Sequence, residues 1–267
     1  MKIEIDLNKS LHENASVYFQ KSKKSKKKLE GLKKAVKDTE RKLEKLREKE
    51  NIREEKKAVL VKKRSKKWFE KFHWFNSSDN LLAIAGRDTQ SNEEVIKKYL
   101  EKGDLYFHAE IHGSPHCILK TKNNKAPETS MKETAEFVAC FSRAWSSNLG
   151  SVDVYSVFPE QVSKSAPSGE SMKTGSFMIY GERNWFKKTS LSFGIGIKKE
   201  EDFFVVISGP LDAIKKHSEI HFKIVQGKSS KGITAKKLKK LFEEKVNGII
   251  DLDEIISMLP SGNSDVV

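Results

Sequence analysis

The sequence predicts an α+β protein. A basic N-terminal helical hairpin, a coiled-coil arm, leads into a mixed, mainly antiparallel sheet domain with two principal helices and a small C-terminal appendage. Three observations carry this expectation. The formal net charge of +14 is confined to one stretch: residues 21–67 hold 22 Lys/Arg and 8 Asp/Glu, while the rest balances 29 basic against 29 acidic residues. Inside that stretch Leu29, Leu32, Val36, Thr39, Leu43 and Leu46 step by three and four alternately, which is a heptad seam. Beyond it, strand patterns mix with two helical patterns without regular βαβ alternation, as in an α+β body. A chain of 267 residues can hold one or two domains with a normal core. The boundaries read as 1–67 for the arm, 68–208 for the body and 209–267 for a Lys-rich appendage.

The elements follow in order. Lys2 to Leu7 alternates in strand fashion, and Asn8 and Ser10 are caps for a following helix. The heptad seam fades where Glu50, Arg53 and Lys57 replace apolar residues, and Asn51 is a place for a turn. Ala58 to Val61 restores apolar character on a second helix running into Trp68 and Phe69. The arm is therefore expected to fold back on itself and project roughly 35 Å; one unbroken helix would reach about 70 Å. In the body, Phe72–Phe75 and Leu81–Ala85 read as strands joined by a turn-rich loop, and Asp88–Leu100 as a helix. Leu105–Ala109 and Cys117–Thr121 are strands, Thr129–Trp145 a helix, and Val152–Phe158 a strand. Residues 161–175, rich in Ser, Pro and Gly, read as an ordered loop, followed by strands at Phe177–Tyr180 and Phe203–Ser208. After Gly209-Pro210 come a short strand at His221–Val225 and helices at Lys236–Val246 and Asp251–Met258.

Composition narrows the function. Clustered Lys/Arg beside a neutral body points to a polyanion, because such clusters gain free energy by releasing counterions condensed on phosphates. No apolar run approaches bilayer length, and Met1-Lys2-Ile3-Glu4-Ile5-Asp6 carries acids where a signal peptide is apolar. A cytoplasmic chain without membrane partners is the expectation. Cys117 and Cys140 are too few for a disulfide framework and form no CxxC pair.

Four motifs carry chemistry. Gly86-Arg87-Asp88 with Asn92-Glu93 lies at a strand-to-helix junction, where Asp88 caps, Glu93 complements the helix dipole, and Arg87 offers a phosphate fork. His108, His112 and His116 recur every fourth residue, but on a strand broken by Gly113 and Pro115, which is poor geometry for a metal. A long loop, Val162-Ser163-Lys164-Ser165-Ala166-Pro167-Ser168-Gly169-Glu170, precedes Thr174-Gly175-Ser176-Phe177; its small residues allow close backbone approach, and Ser/Lys donors suit phosphate oxygens. Ser163-Lys164 is also a formal nucleophile–base pair, without a triad or oxyanion partner beside it.

These motifs, in this order, resemble the RNA-binding domain of the NFACT family. Besides those above, the matching pieces are Trp68 to Phe75, Tyr106-Phe107-His108-Ala109-Glu110-Ile111-His112-Gly113 and Ser142-Arg143-Ala144-Trp145. Ser208-Gly209-Pro210 and the Lys-rich run after Gly227 are similar to archaeal members. The resemblance implies a non-enzymatic, cofactor-free protein of ribosome-associated quality control that binds tRNA and large-subunit rRNA on stalled complexes. It implies an rRNA-gripping arm through Lys23, Lys24, Lys26, Lys27, Lys62, Lys63 and Arg64, and tRNA contacts through Arg87, Asn92, His112, Lys164, Lys173 and Arg183. The sequence departs from the family pattern at Tyr180, where Arg is usual, and at Ser171, where Tyr is usual. The family's N-terminal domain, with the Asp-Arg pair needed for C-terminal tailing, has no counterpart in this sequence. The resemblance therefore implies either a standalone C-terminal half or a subunit that works with a separate NFACT N-terminal half. A metal-dependent hydrolase is the remaining alternative.

Overall fold

The computed structural model describes residues 3–8, 10–60, 65–165, 172–200, 203–246, 248 and 250–267. It divides into two compact units, Met1–Lys63 and Arg64–Val267.

The first unit is one helix, α1 (Leu11–Leu60). It starts at a reciprocal capping box: Glu13 N–H donates to Ser10 Oγ, and Ser10 N–H donates to Glu13 Oε2 at 2.8 Å. Residues 3–6 form no strand. They are tied to the first turns by Asn14, whose amide exchanges bonds with Asp6 N–H and Asp6 O at 3.0 Å each, and by Tyr18 O–H donating to Glu4 O. The expected fold-back at Asn51 does not occur; the helix runs through it for 50 residues, about 75 Å at 1.5 Å per residue. The reason is local. No Gly or Pro stands between Lys33 and Leu60, and a single Asn costs well under about 1 kcal/mol in a helix interior. The heptad residues Leu29, Leu32, Val36 and Leu43 remain about half exposed.

The second unit holds β1 (His73–Asn76), β2 (Leu82–Ala85), α2 (Thr89–Tyr99), β3 (Leu105–Ala109), β4 (Cys117–Leu119) and α3 (Glu128–Phe141). Then follow α4 (Arg143–Ser146), β5 (Ser151–Val157), β6 (Val162–Ser163), β7 (Met178–Ile179) and β8 (Asn184–Ser190). It ends with β9 (Phe193–Glu200), β10 (Phe203–Pro210), α5 (Leu211–His217), β11 (Ile220–Gln226), α6 (Lys231–Lys245), α7 (Leu252–Met258) and β12 (Ser264–Val266). A six-stranded sheet runs β1-β2-β4-β3-β5-β8 and a four-stranded sheet β10-β9-β11-β12; every described pairing is antiparallel. The mixed, mainly antiparallel α+β class is as expected. Helix α3 packs on β3, β5 and β8 and also reaches β9 and β10, where Phe141 meets Phe193 and Phe137 edge-on; Phe137 and Val138 are both fully buried. Each such side chain contributes roughly 1.5–3 kcal/mol of burial.

Residues expected to form an appendage complete the second sheet, since β11 pairs with β9 and β12 with β11. Strands β8 and β9 have no counterpart in the sequence reading. Strand β9 is Phe-Gly-Ile-Gly-Ile, and a Cβ at Gly196 would lie 2.6 Å from Ser218 Cβ, so only glycine lets the chain after α5 pass so close. Among the described residues, no helix is long and apolar enough to cross a membrane.

Candidate nucleic-acid interface

The β2–α2 junction is built around Gly86. A Cβ there would lie 2.2 Å from Asn92 Oδ1, and that oxygen accepts His116 N–H at 3.0 Å. Gly86 N–H in turn donates to His116 O. Asp88 caps α2 by accepting Ser91 N–H at 2.8 Å. Arg87 donates from Nη2 to Phe72 O at 3.0 Å and from Nη1 to Ser257 O at 3.2 Å, and burial lowers its pKa. Asn92 and Arg87 thus hold strands and α7 in place, duties the sequence did not reveal because their partners are main-chain atoms far along the chain.

The long loop is fastened to α2 by Glu93. Its carboxylate accepts Gly175 N–H at 2.7 Å and pairs with Lys97 at 2.6 Å and Lys164 at 3.1 Å. Lys97, then Gly175, then Lys164 hold its carboxyl down at about 2. Lys164 Nζ also donates to Lys173 O and Ser176 O and lies 4.9 Å from the Phe177 ring centre. None of these is Ser163, whose hydroxyl instead accepts Ser165 N–H, so no Ser–Lys nucleophile is assembled. Lys173 itself is exposed with no side-chain partner among the described residues. Ala166 to Ser171 lie outside the described residues.

Two of the three histidines come together. The His108 and His116 rings are 5.0 Å apart, and His116 Nδ1 shares a 2.6 Å hydrogen bond with Tyr106 O–H. Burial pushes His108 down to about 3 and His116 to about 4, so both are neutral at pH 7. His112 is exposed in the turn before Gly113, whose φ is +83°. Among the described residues, no three His, Cys, Asp or Glu side chains are grouped as a metal ion requires.

Edge strand β8, with Arg183 just ahead of it, carries a further cluster, of which the sequence marks only Arg183. The guanidinium lies 4.5 Å from the Tyr155 ring centre and 5.7 Å from that of Trp185, and bonds Glu110 at 3.2 Å. Lys187 Nζ sits 3.8 Å over Trp185 and 3.0 Å from Asp153. Trp185 is 37% exposed. Trp185 and Lys187 of β8, with Arg183 one residue ahead of it, alternate at period two, the spacing of one strand face; that spacing is the available signal. A half-exposed indole flanked by cations is a platform on which a base can stack.

On α1, Lys23, Lys24, Lys26 and Lys27 are exposed and unpaired among the described residues. Lys62, Lys63 and Arg64 lie outside them.

A family profile described as the NFACT protein RNA binding domain matches residues 71–181. The archaeal Rqc2 homolog aRqcH of Methanocaldococcus jannaschii is 37% identical over 216 residues, 80% of this chain and 32% of that protein. The ribosome quality control complex subunit NEMF of Homo sapiens is 38% identical over 187 residues, 68% of this chain and 17% of that protein. The solved C-terminal part of a fibronectin/fibrinogen-binding protein from Streptococcus suis superposes with a TM-score of 0.39 at 22% identity, over 52% of this chain and 55% of that one. The chain thus spans a third or less of the curated relatives named here.

Proposed function

The chain belongs to the NFACT family, and from that premise we propose that it is an RNA-binding component of ribosome quality control, acting in the cytosol on tRNA and large-subunit rRNA of stalled complexes. The observation that carries this reading is the separation of charge from the body. An exposed helix holds most of a stretch that accounts for the whole net charge of +14, on a protein whose remainder is neutral. The arm supplies the sequence-independent grip. Lys23, Lys24, Lys26 and Lys27 face solvent and can each neutralise a phosphate, releasing counterions as they do.

The body supplies placed contacts. Trp185 stacks an unpaired base, with Arg183 and Lys187 beside it for the flanking phosphates, while Lys173 and His112 add exposed donors. Arg87, Asn92 and Lys164 act in this reading chiefly as positioning groups, their polar atoms being engaged inside the protein. The work is binding, not bond-making.

Co-sedimentation with purified large ribosomal subunits over a rising salt series tests the proposal. Binding should fall linearly on a log–log plot. Binding indifferent to salt, or no binding to subunits or to tRNA at low salt, refutes it.

A further inference from the structure

A cavity of about 310 Å³ opens where β3 begins and β5 ends, beside the start of β8. None of the contacts described so far uses it. Its walls are apolar: Leu105, Met131, Val157 and Phe158, the last 57% exposed. Its neutral polar lining is Thr121, Ser156 and three side-chain amides; Gln161 is engaged at the lip, which leaves Asn124 and Asn184. Asn184 Nδ2 donates to Ser156 Oγ at 3.3 Å, which leaves its carbonyl oxygen and one N–H for a guest.

The lip is preformed. Gln161 accepts Phe158 N–H at 2.9 Å and donates to Tyr180 O and Glu182 O at 2.8 Å each. On the other side Asp104, itself 2% exposed, accepts Thr121 N–H and pairs with Lys120 at 2.6 Å. The cavity is therefore not a gap that collapses when empty.

The charge at the mouth identifies the guest. Lys125 lines the cavity, and Lys102 and Lys122 adjoin the lining residues Gly103 and Thr121. All three are exposed and carry no ion pair among the described residues. Against them stand Glu182 of the lining and the exposed Glu160, which adjoins the lining residue Gln161, so the cations prevail by three to two. A slot with apolar walls, two amides at its edge and unpaired cations outside is complementary to a flat heterocycle on a sugar phosphate. The volume is at the small end of ligand pockets, enough for one base and not for a helix or a peptide.

We propose that this cavity receives one unstacked nucleobase of a bound RNA strand, with Asn124 and Asn184 on its hydrogen-bonding edge and Lys102, Lys122 and Lys125 on the adjoining phosphates. The proposal rests on the RNA-binding reading above and deepens it: the body holds a base by insertion as well as by stacking on Trp185.

Fluorescence anisotropy of the full chain tests it, with a short single-stranded RNA of mixed sequence and a base-free ribose-phosphate strand of the same charge. Met131→Trp fills the cavity and Asn184→Ala removes an amide from an exposed position. Both variants should bind the RNA more weakly, about tenfold for the first given what one stacked base contributes, and bind the base-free strand as the parent does. A folded Met131→Trp protein with parental RNA affinity, alongside an Asn184→Ala protein equally unaffected, overturns the pocket and leaves the function reading standing. Failure of the parent to bind either strand at low salt overturns both. Adenosine monophosphate is the third probe; affinity equal to that of the RNA strand would make the guest a free nucleotide and overturn the assignment to RNA.

Discussion

Replacing Arg87 separates a structural duty from a phosphate contact. Its guanidinium holds two main-chain oxygens, Phe72 O at 3.0 Å and Ser257 O at 3.2 Å, from strand β1's approach and from α7. Phe72 is 1% exposed, so in Arg87→Ala its carbonyl finds little water, and an unpaired buried acceptor costs about 1–3 kcal/mol. Ser257 is only half-buried, and water can replace Arg87 there at nearly no cost. The expected loss is therefore about 2 kcal/mol, which in a domain of this size lowers Tm by about 4–8 °C. Arg87→Lys keeps the charge but cannot fork to Phe72 O and Ser257 O at once, so it should lose most of the same stability. Thermal melts followed by circular dichroism read the first quantity, and RNA affinity well below both melting points reads the second. Both variants should melt early and bind nearly as the parent does. A parental Tm together with RNA affinity lost in Arg87→Ala and kept in Arg87→Lys would make Arg87 a phosphate ligand and refute the reasoning.

Three further outcomes follow from the same geometry. Trp185→Ala should weaken single-stranded RNA binding by about 1–3 kcal/mol without altering its salt slope, because it removes a stacking face and no charge; a changed slope at unchanged affinity contradicts the platform. Exchanging Lys23, Lys24, Lys26 and Lys27 for alanine should lower the log–log salt slope for rRNA by about 3 units, near one per phosphate contact; an unaltered slope would remove the arm from the interface. The body should also lose stability in acid. His73, His108 and His116 are all pushed below the ordinary 6.5, His108 to about 3 and His116 to about 4, so below pH 6.5 the unfolded chain binds protons the folded one refuses. Glu136 works the other way: burial, with Asp212 and Glu133 nearby, raises it to about 7, so its protonation as pH falls through 7 favours the folded state. Urea titrations of Glu136→Gln between pH 7 and 5 should show a steeper acid loss than the parent; an equal or shallower loss would refute this assignment of signs.

The sequence made the body's early strands and helices legible because each is a short apolar run bounded by turn residues, as at Leu82–Ala85 and Leu105–Ala109. It hid β8, whose Asn184, Trp185, Lys187 and Lys188 are all exposed, so no apolar alternation marks it. It hid β9 because Gly194 and Gly196 read as turn residues, whereas Gly196 is demanded by the close approach of Ser218 and Gly194 lies tight against Leu211. The helix runs on through Asn51 because a lapse in the heptad pattern says what a helix can pack against, not whether the helix stops. Among the site residues, charge and exposure marked Arg183 and Lys173, but nothing local could tell that Lys164 and Arg87 spend their donors on carbonyls brought near by the fold. The cavity beside Phe158 was equally invisible, since its lining comes from seven separate segments of chain.

These differences divide the labour between the two units. A lysine on α1 has no geometry to offer beyond its charge, since its neighbours on the helix are other exposed side chains; its contribution is screened by salt and indifferent to sequence. The cations of the body are different. Arg183 is fixed between Tyr155 and Glu110, and Lys187 between Trp185 and Asp153, so their positions are set before RNA arrives. Each has also given up part of its charge to an acid, which weakens any long-range pull on a polyanion. Fixed and half-neutralised groups make poor steering but good discrimination, because the cost of ordering them is already met by folding. The arm should therefore govern how fast and how salt-dependently the protein reaches RNA, and the β8 edge how long it stays. Arm substitutions should act mainly on the association rate and β8 substitutions mainly on the dissociation rate, a split that stopped-flow binding resolves and that a single uniform RNA-binding surface would not produce.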